Sequence, residues 1–293
     1  MTNSILEKKG YYKFPLGTLE ISVFTDGYSE IRPIQPMFAP NVEPSDLQLF
    51  LNNQNLSNEY IRLAGNILLA ATGDEHILID TGCGGSLGPT SGKLLDHFAS
   101  ADIAPSSITH IVLTHAHPDH IGGVLTEDGA LAFPNALVHL SKTEYDFWMS
   151  PEPDFSKGTH NAVADFEIQF ARQFLERLES VLHFYNANDI LLGFLHMLPA
   201  PGHTPGQMMI QIHSGDDKLL HIADVFQHQI LVEHPEWGNQ IDSDFELGVR
   251  TRLSVLEHLA ESKQLLFGNH LPFPGLGYIV KSNGTFHYVP KGQ

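Results

Sequence analysis

The sequence predicts an α/β fold built as one large domain, and three observations carry that expectation. Short runs rich in β-branched and aliphatic residues alternate with helical stretches, and the breaks between them are rich in Gly and Pro. No internal repeat, low-complexity tract or linker divides the chain. Its 293 residues suffice to bury a substantial core as a single unit, with residues 1–18 set apart as an N-terminal extension.

Taken in order, Leu19–Thr25, Tyr60–Ala70 and His76–Ile79 read as strands from their β-branched and aliphatic content. Residues 32–58, rich in Pro, Asn and Gln, read as a surface loop with one short helix. Ile108–Leu113 and Ala136–Leu140 read as buried strands. Lys142–Met149 and Phe166–Leu182 read as helices, the second placing Phe166, Phe170, Phe174 and Leu178 on one face. Gln207–His213 and Lys218–Ile222 flank Ser214-Gly215-Asp216-Asp217 as a hairpin, and a further strand covers Leu265–Phe267. Ser243–Ser262 reads as an amphipathic helix capped by Ser243 or Asp242. Tyr278–Lys281 and Thr285–Val289 flank Asn283-Gly284, a strong hairpin signal.

Composition narrows the function classes. The formal net charge of −18 repels phosphate backbones and anionic lipid, so neither nucleic acid nor membrane is an expected partner. The first residues, Met1 to Lys9, lack a basic region followed by an apolar one, so no signal peptide is expected. Cys83 is the single cysteine, which excludes an intrachain disulfide and agrees with a cytoplasmic location. The 18 histidines are a high count and point to metal.

The segment that carries chemistry is Thr114-His115-Ala116-His117-Pro118-Asp119-His120-Ile121-Gly122-Gly123, directly after the strand Ile108–Leu113. His115 and His117, two apart in extended chain, point to one side and can grip one ion. Asp119 and His120, past the turn forced by Pro118, can reach a second. Imidazole suits several divalent transition metals, and a carboxylate adds charge and hardness. Gly122 and Gly123 let the backbone pass close to the site. A merely polar loop in a histidine-rich chain does not account for three His and one Asp packed so closely after an apolar strand.

The pattern H-x-H-x-D-H resembles the signature of the metallo-β-lactamase superfamily, and further segments match its landmarks in order. These are Ile77-Leu78-Ile79-Asp80-Thr81-Gly82, Pro201-Gly202-His203-Thr204-Pro205-Gly206, Ala223-Asp224 and Gly268-Asn269-His270. The resemblance implies a four-layer αββα sandwich with the site at one edge of two sheets. It implies that His115, His117 and His203 hold one ion, that Asp119, His120 and His270 hold another, and that Asp224 bridges them. Gly88-Pro89-Thr90-Ser91-Gly92-Lys93-Leu94, Asp146-Phe147-Trp148-Met149-Ser150, Asp242-Ser243-Asp244 and His270-Leu271-Pro272-Phe273-Pro274-Gly275-Leu276-Gly277 look like the methyl parathion hydrolase-like branch. That branch comprises di-metal hydrolases of organophosphate triesters, aryl esters or lactones, usually homodimers. Exported members of the branch carry a signal peptide, which is not expected here. True β-lactamases have Cys or Ser where Asp224 stands, flavodiiron proteins have Glu at the place of His117, and the basic cluster of glyoxalase II has no counterpart.

Around the ligands, Asp80 is read as a carboxylate that orients a ligand histidine, against a turn-forming Asp before Gly82. Cys83 is read as a small buried loop residue rather than a soft ligand. Phe147, Trp148 and Leu87 are candidates for an apolar substrate pocket, although a helical Trp also suits a core. His228 is either a substrate contact or a structural residue. His97, His160 and His258 are read as ordinary surface histidines. Substrate choice is assigned to loops 28–58, 150–162 and 226–241.

The expected function is that of a binuclear hydrolase of neutral hydrophobic esters and lactones, with possible cleavage of phosphotriesters. A metal-bridging hydroxide attacks, between ions about 3.5–4 Å apart, with Asp119 and Asp224 at the reacting centre. Zinc is the first expectation among two divalent ions, with manganese, cobalt or iron also suited to His and Asp ligands. The alternative from another class is an iron-containing redox or sensing protein, and a scaffold with a vestigial site is a third.

Overall fold

A computed structural model describes residues 9–159 and 162–292. The expectation of no signal peptide at Met1 to Lys9 and the surface reading of His160 fall on residues 1–8 and 160, outside the described residues. Two seven-stranded sheets face each other. The first contains β1 (Tyr11–Leu16), β2 (Leu19–Ile31), β3 (Ile61–Thr72), β4 (Glu75–Ile79), β5 (His110–Val112), β6 (Leu137–Ser141) and β7 (Leu182–Tyr185), in that order across the sheet. It is antiparallel from β1 to β4 and parallel from β4 to β7. The second contains β8 (Ile190–Leu191), β9 (Leu195–Pro199), β10 (Met208–Ser214), β11 (Asp217–His221), β12 (Leu266–Phe267), β13 (Leu276–Ser282) and β14 (Thr285–Pro290). Only its β11–β12 pair is parallel.

Alternation along the strands makes the layers. Ile77 and Ile79 of β4 point between the sheets with Leu68, Val112, Met197, Ile210 and Leu219, whereas Leu78 points outward. The outer face of the first sheet is covered by α2 (Leu94–Ser100), α4 (Lys142–Met149) and α5 (Ala164–Leu178), through Leu94, Phe98, Trp148, Ala171, Leu175 and Leu178. The outer face of the second is covered by α1 (Pro44–Asn53), α6 (Gln229–Glu233) and α7 (Phe245–Ser262), through Leu47, Leu51, Leu231, Leu256 and Leu259. The order is αββα. Among the described residues, no helix is long and apolar enough to cross a membrane.

Several expectations change. Tyr11–Leu16 pairs along its length with β2 and buries Phe14 and Leu16, so this stretch belongs to the first sheet rather than to an extension. Residues 32–58 do not merely cover the surface: Ile34, Phe38 and Ala39 enter the core beside α1. In α5 the buried face is Glu167, Ala171, Leu175 and Leu178, while Phe166 is 49% exposed and Phe170 stacks on Phe174 in a half-buried row. The four-residue repeat of Phe drifts around a helix of 3.6 residues per turn and so leaves the core. Asp244 caps α7, accepting from Leu247 N at 3.0 Å, because Asp242 is engaged elsewhere. His97 is half-buried, its Nδ1 2.6 Å from the Thr25 carbonyl, whereas His258 is exposed.

Strand β2 runs six residues past the expected end, through a bulge between Thr25 and Gly27. The bulge turns Asp26 inward, where its carboxylate accepts from Cys83 N, Gly92 N and Leu94 N at 2.9, 3.2 and 2.9 Å. The loop that carries Leu87 is thereby anchored. Burial and the Asp26 carboxylate raise the Cys83 thiol, which is only 3% exposed, so Cys83 is an inert buried residue as expected.

Candidate metal centre

The site forms where strands of both sheets end on one edge. After β5, Leu113 and Thr114 deliver His115 and His117, and Pro118 opens the one-turn helix α3 (Pro118–Ile121), which presents Asp119 and His120. The turn packs tightly: a Cβ on Gly123 would lie 2.0 Å from the Thr81 carbonyl oxygen, so only glycine fits. His203 comes from the loop between β9 and β10, Asp224 from the end of β11 and His270 from the end of β12. Ala223, just before Asp224, has φ of 49°, a left-handed turn that aims the carboxylate back over the strand ends.

The side chains converge. His117 Nδ1 lies 3.1 Å from His115 Nε2 and 2.9 Å from His203 Nε2. On the other side, His270 Nε2 lies 3.4 Å from Asp119 Oδ2, and His120 Nε2 lies 3.8 Å from Asp119 Oδ1. Asp224 stands between the two groups, with Oδ1 at 3.2 Å from His120 Nε2 and Oδ2 at 3.5 and 3.1 Å from His203 Nε2 and His270 Nε2. Ligand atoms of His115, His117 and His203, of His115, His120 and Asp224, and of Asp119, His120 and His270 form three tight groups.

What stands behind each ring decides which nitrogen faces inward. His120 Nδ1 meets Asp80 Oδ2 at 2.8 Å, His203 Nδ1 meets Asp242 Oδ1 at 2.9 Å, and His270 Nδ1 meets the Ala64 carbonyl at 2.8 Å. His115 Nδ1 lies 3.1 Å from Thr114 Oγ1. With protons held at these Nδ1 positions, the Nε2 lone pairs point into the site. Asp80 has φ of 60° and also accepts from Thr114 N at 2.8 Å, so one carboxylate ties the end of β5 to His120.

The donor set fits cations. His120 Nε2 and Asp224 Oδ1 are buried 3.2 Å apart without a hydrogen bond between them, an arrangement that a cation held by both would relieve. Burial, then the imidazoles of His120 and His117, hold His115 well below its usual range, and burial with His203 does the same for His117. Neutral imidazole is the form that binds metal. Against the effect of burial, Asp224 raises His120 and His270 and Asp242 raises His203, so those three rings give up a proton as a cation enters. Burial opposes charge on Asp224, yet His270 and His120 outweigh it and keep the carboxyl well below its usual range. Five carboxylates, Asp80, Asp119, Asp224, Asp242 and, 3.9 Å from His117 Nε2, Glu167, thus stand against five imidazoles, with Arg252 beside Asp242.

A cavity of about 210 Å³ opens directly on Asp119, Asp224 and His270. Its apolar wall comprises Ile31, Met37, Phe38, Leu63, Leu87 and Phe166, and no Lys or Arg lines it among the described residues. Leu87 lines this cavity. Trp148 does not: it is fully buried, its ring 5.5 Å from His117 and its Nε1 donating to Glu144 Oε1 at 2.6 Å. Phe147 packs on Trp148 and Phe155, away from the cavity. Both lie on the core side of α4, which faces the back of the ligands. His228 borders a neighbouring cavity of about 730 Å³ and caps α6, its Nδ1 accepting from Ile230 N at 3.3 Å. Burial holds it at a pKa of about 4. Of the three loops assigned to substrate choice, 28–58 and 226–241 line the apolar cavity. Phe38, Ile241 and Gln227 were not singled out from sequence, since no local pattern marks residues that meet only through folding.

Comparison with known proteins agrees with this geometry. The family model of the metallo-beta-lactamase superfamily matches residues 60–246. The chain is similar to the solved structure of AidC, a dizinc quorum-quenching lactonase in complex with a product. The two are 36% identical with a TM-score of 0.91, over 97% of this chain and 98% of that one. It is similar to AbOPH, a hydrolase in the beta lactamase superfamily, at 26% identity and a TM-score of 0.87, over 96% and 97% of the two chains. A probable metallo-hydrolase of Mycobacterium tuberculosis is 27% identical over 222 residues, 65% of this chain. The match spans 66% of that relative, just under two thirds of its length.

Proposed function

Given that the chain belongs to the metallo-beta-lactamase superfamily, we propose that it is a binuclear metal-dependent hydrolase of neutral, hydrophobic esters and lactones. Uncharged phosphotriesters are a further substrate class of the same site. The observation that carries the reading is the apolar cavity opening onto Asp119, Asp224 and His270, beside three converging ligand groups. In this reading His115, His117 and His203 hold one ion, Asp119, His120 and His270 the other, and Asp224 both. Zinc is the first choice, supported by the dizinc lactonase to which the chain is similar. When bound, a pair of divalent ions acidifies water and polarises the oxygen of the scissile bond.

The protein's own residues do the rest. Asp80, Asp242 and the Ala64 carbonyl fix the imidazoles of His120, His203 and His270. The wall formed by Phe38, Leu63, Leu87 and Phe166 takes an apolar group and excludes water beside the reacting bond. Asp119, whose side chain is 29% exposed, would take the proton given up by the attacking water and pass it to the departing oxygen. Without Lys or Arg in that wall, no fork-shaped clamp holds an anionic phosphate or carboxylate. The same reading takes the protein as a cytoplasmic homodimer acting on small molecules; light scattering of the purified protein tests the dimer.

The deciding experiment is a hydrolytic screen of metal-loaded protein. Aryl acetates, acyl-chain lactones and neutral phosphotriesters are compared with p-nitrophenyl phosphate and a cyclic dinucleotide. The neutral substrates are expected to lead by at least about tenfold in kcat/KM, one full step of transition-state binding. A wide margin in favour of the charged phosphates replaces the reading with that of a phosphodiesterase.

A further inference from the structure

Glu144, in the first turn of α4, is fully buried and has no cationic partner among its contacts. Four donors meet its carboxylate instead. Oε1 accepts from Ala116 N at 3.0 Å and Trp148 Nε1 at 2.6 Å. Oε2 accepts from Thr204 Oγ1 at 2.6 Å and Gly206 N at 3.0 Å. Ala116 sits between His115 and His117, and Thr204 follows His203. One side chain thus joins the two loops that supply these three histidines, while His120 and His270 rest on Asp80 and the Ala64 carbonyl. The second loop lies hard against the start of α4: a Cβ on Gly206 would meet Glu144 N at 2.2 Å.

Resting on the metal-centre reading above, we propose that Glu144 is a positioning residue that sets the metal affinity of the His115–His117–His203 site. The carboxylate is required because four donors need an all-acceptor group. Glutamine has the same shape but one acceptor oxygen, so its amide N–H groups would face either Gly206 N–H or the Ala116 and Trp148 N–H groups. A buried group left facing another donor loses its hydrogen bonds and pushes the loops apart.

The test titrates apoprotein with zinc by calorimetry and with cobalt by electronic absorption, in wild type, Glu144→Gln, Thr204→Val and Thr204→Ser. Glu144→Gln is expected to weaken one of two sites by about tenfold or more, as loss of a group supporting ligands does, with that site's cobalt bands diminished. The other site keeps its affinity. Thr204→Val loses less, and Thr204→Ser, which keeps the hydroxyl, restores wild-type binding; these two carry the test if Glu144→Gln does not fold. Equal weakening of both sites, or no weakening, overturns the proposal. A wild type that takes up no ion overturns the metal-centre reading and the clamp together. A wild type that takes up two ions yet cleaves no ester or lactone overturns the hydrolase reading alone.

Discussion

His203 Nδ1 lies 2.9 Å from Asp242 Oδ1, and the other oxygen of that carboxylate accepts from Arg252 Nη2 at 3.2 Å. Arg252 and Asp242 are both essentially buried, and Arg252 also donates to the carbonyls of Val225 and Pro235. A ligand loop, the helix α7 and the segment after Asp224 are therefore held by one ion pair. Asp242→Ala strands a buried guanidinium and frees the His203 ring. Removal of one partner of such a pair costs about 3–5 kcal/mol, so Asp242→Ala is expected to unfold at markedly lower urea and to lose metal. Denaturation curves with elemental analysis check both.

Asp224→Ala is expected to lower kcat/KM on a cleaved ester by on the order of 100-fold or more, beyond the usual loss for groups behind ligands. Asp224 reaches His120, His203 and His270, so its removal affects both sides of the centre. His228→Ala is expected to cost less than about tenfold, together with about 1 kcal/mol of stability from the lost cap of α6. Equal losses would show that the bridge is misplaced.

Purified protein is expected to hold close to two transition-metal ions per chain after reconstitution, from the three converging groups. Stripping them with a chelator is expected to abolish hydrolysis and lower Tm, because ions that bind only the folded chain stabilise it. Saturation at a single ion contradicts a binuclear centre.

His139 supplies a pH dependence of stability away from the site. Burial, then the imidazoles of His110 and His183, lower it from 6.5 to about 4, with Glu75 beyond His110 on the same row. Between those values the unfolded chain binds the proton and the folded chain does not, so stability rises with pH across that window and is lost as pH falls. With solvent screening of a partly exposed ring, the loss from pH 7 to pH 5 is roughly 1–2 kcal/mol. Urea unfolding of wild type and His139→Gln at both pH values measures it; the variant should show a flatter slope.

Phe166 and Leu87 line the cavity from α5 and from the loop anchored by Asp26. Phe166→Glu or Leu87→Asp is expected to raise KM for acyl-chain lactones severalfold while leaving metal content and Tm near wild type. At 49% and 37% exposed, both residues tolerate the charge. Unchanged KM in both variants moves the substrate elsewhere, the cavity beside His228 being the next place to look.

Local signals were enough for much of this molecule. The Ile77–Ile79 run, the Asn283-Gly284 turn and the helix Lys142–Met149 are written in periodicity and turn chemistry, which neighbours alone determine. The segment from His115 to His120 is equally local, because ligands one to five residues apart meet through the geometry of one strand end and one turn. Trp148 and Phe147 show where local reading stops: an aromatic pair on a helix suits a pocket or a core, and only the packing of α4 behind the ligands chose the core. The roles of Glu144, Asp242 and Arg252 and the meeting of Phe38 and Phe166 in one wall were decided by tertiary structure alone. Apart from Trp148, which is close to Glu144 in the chain, the hydrogen-bond partners of these polar side chains lie 10 to 62 residues away, and a buried carboxylate differs from a solvated one only in the donors that folding brings to it.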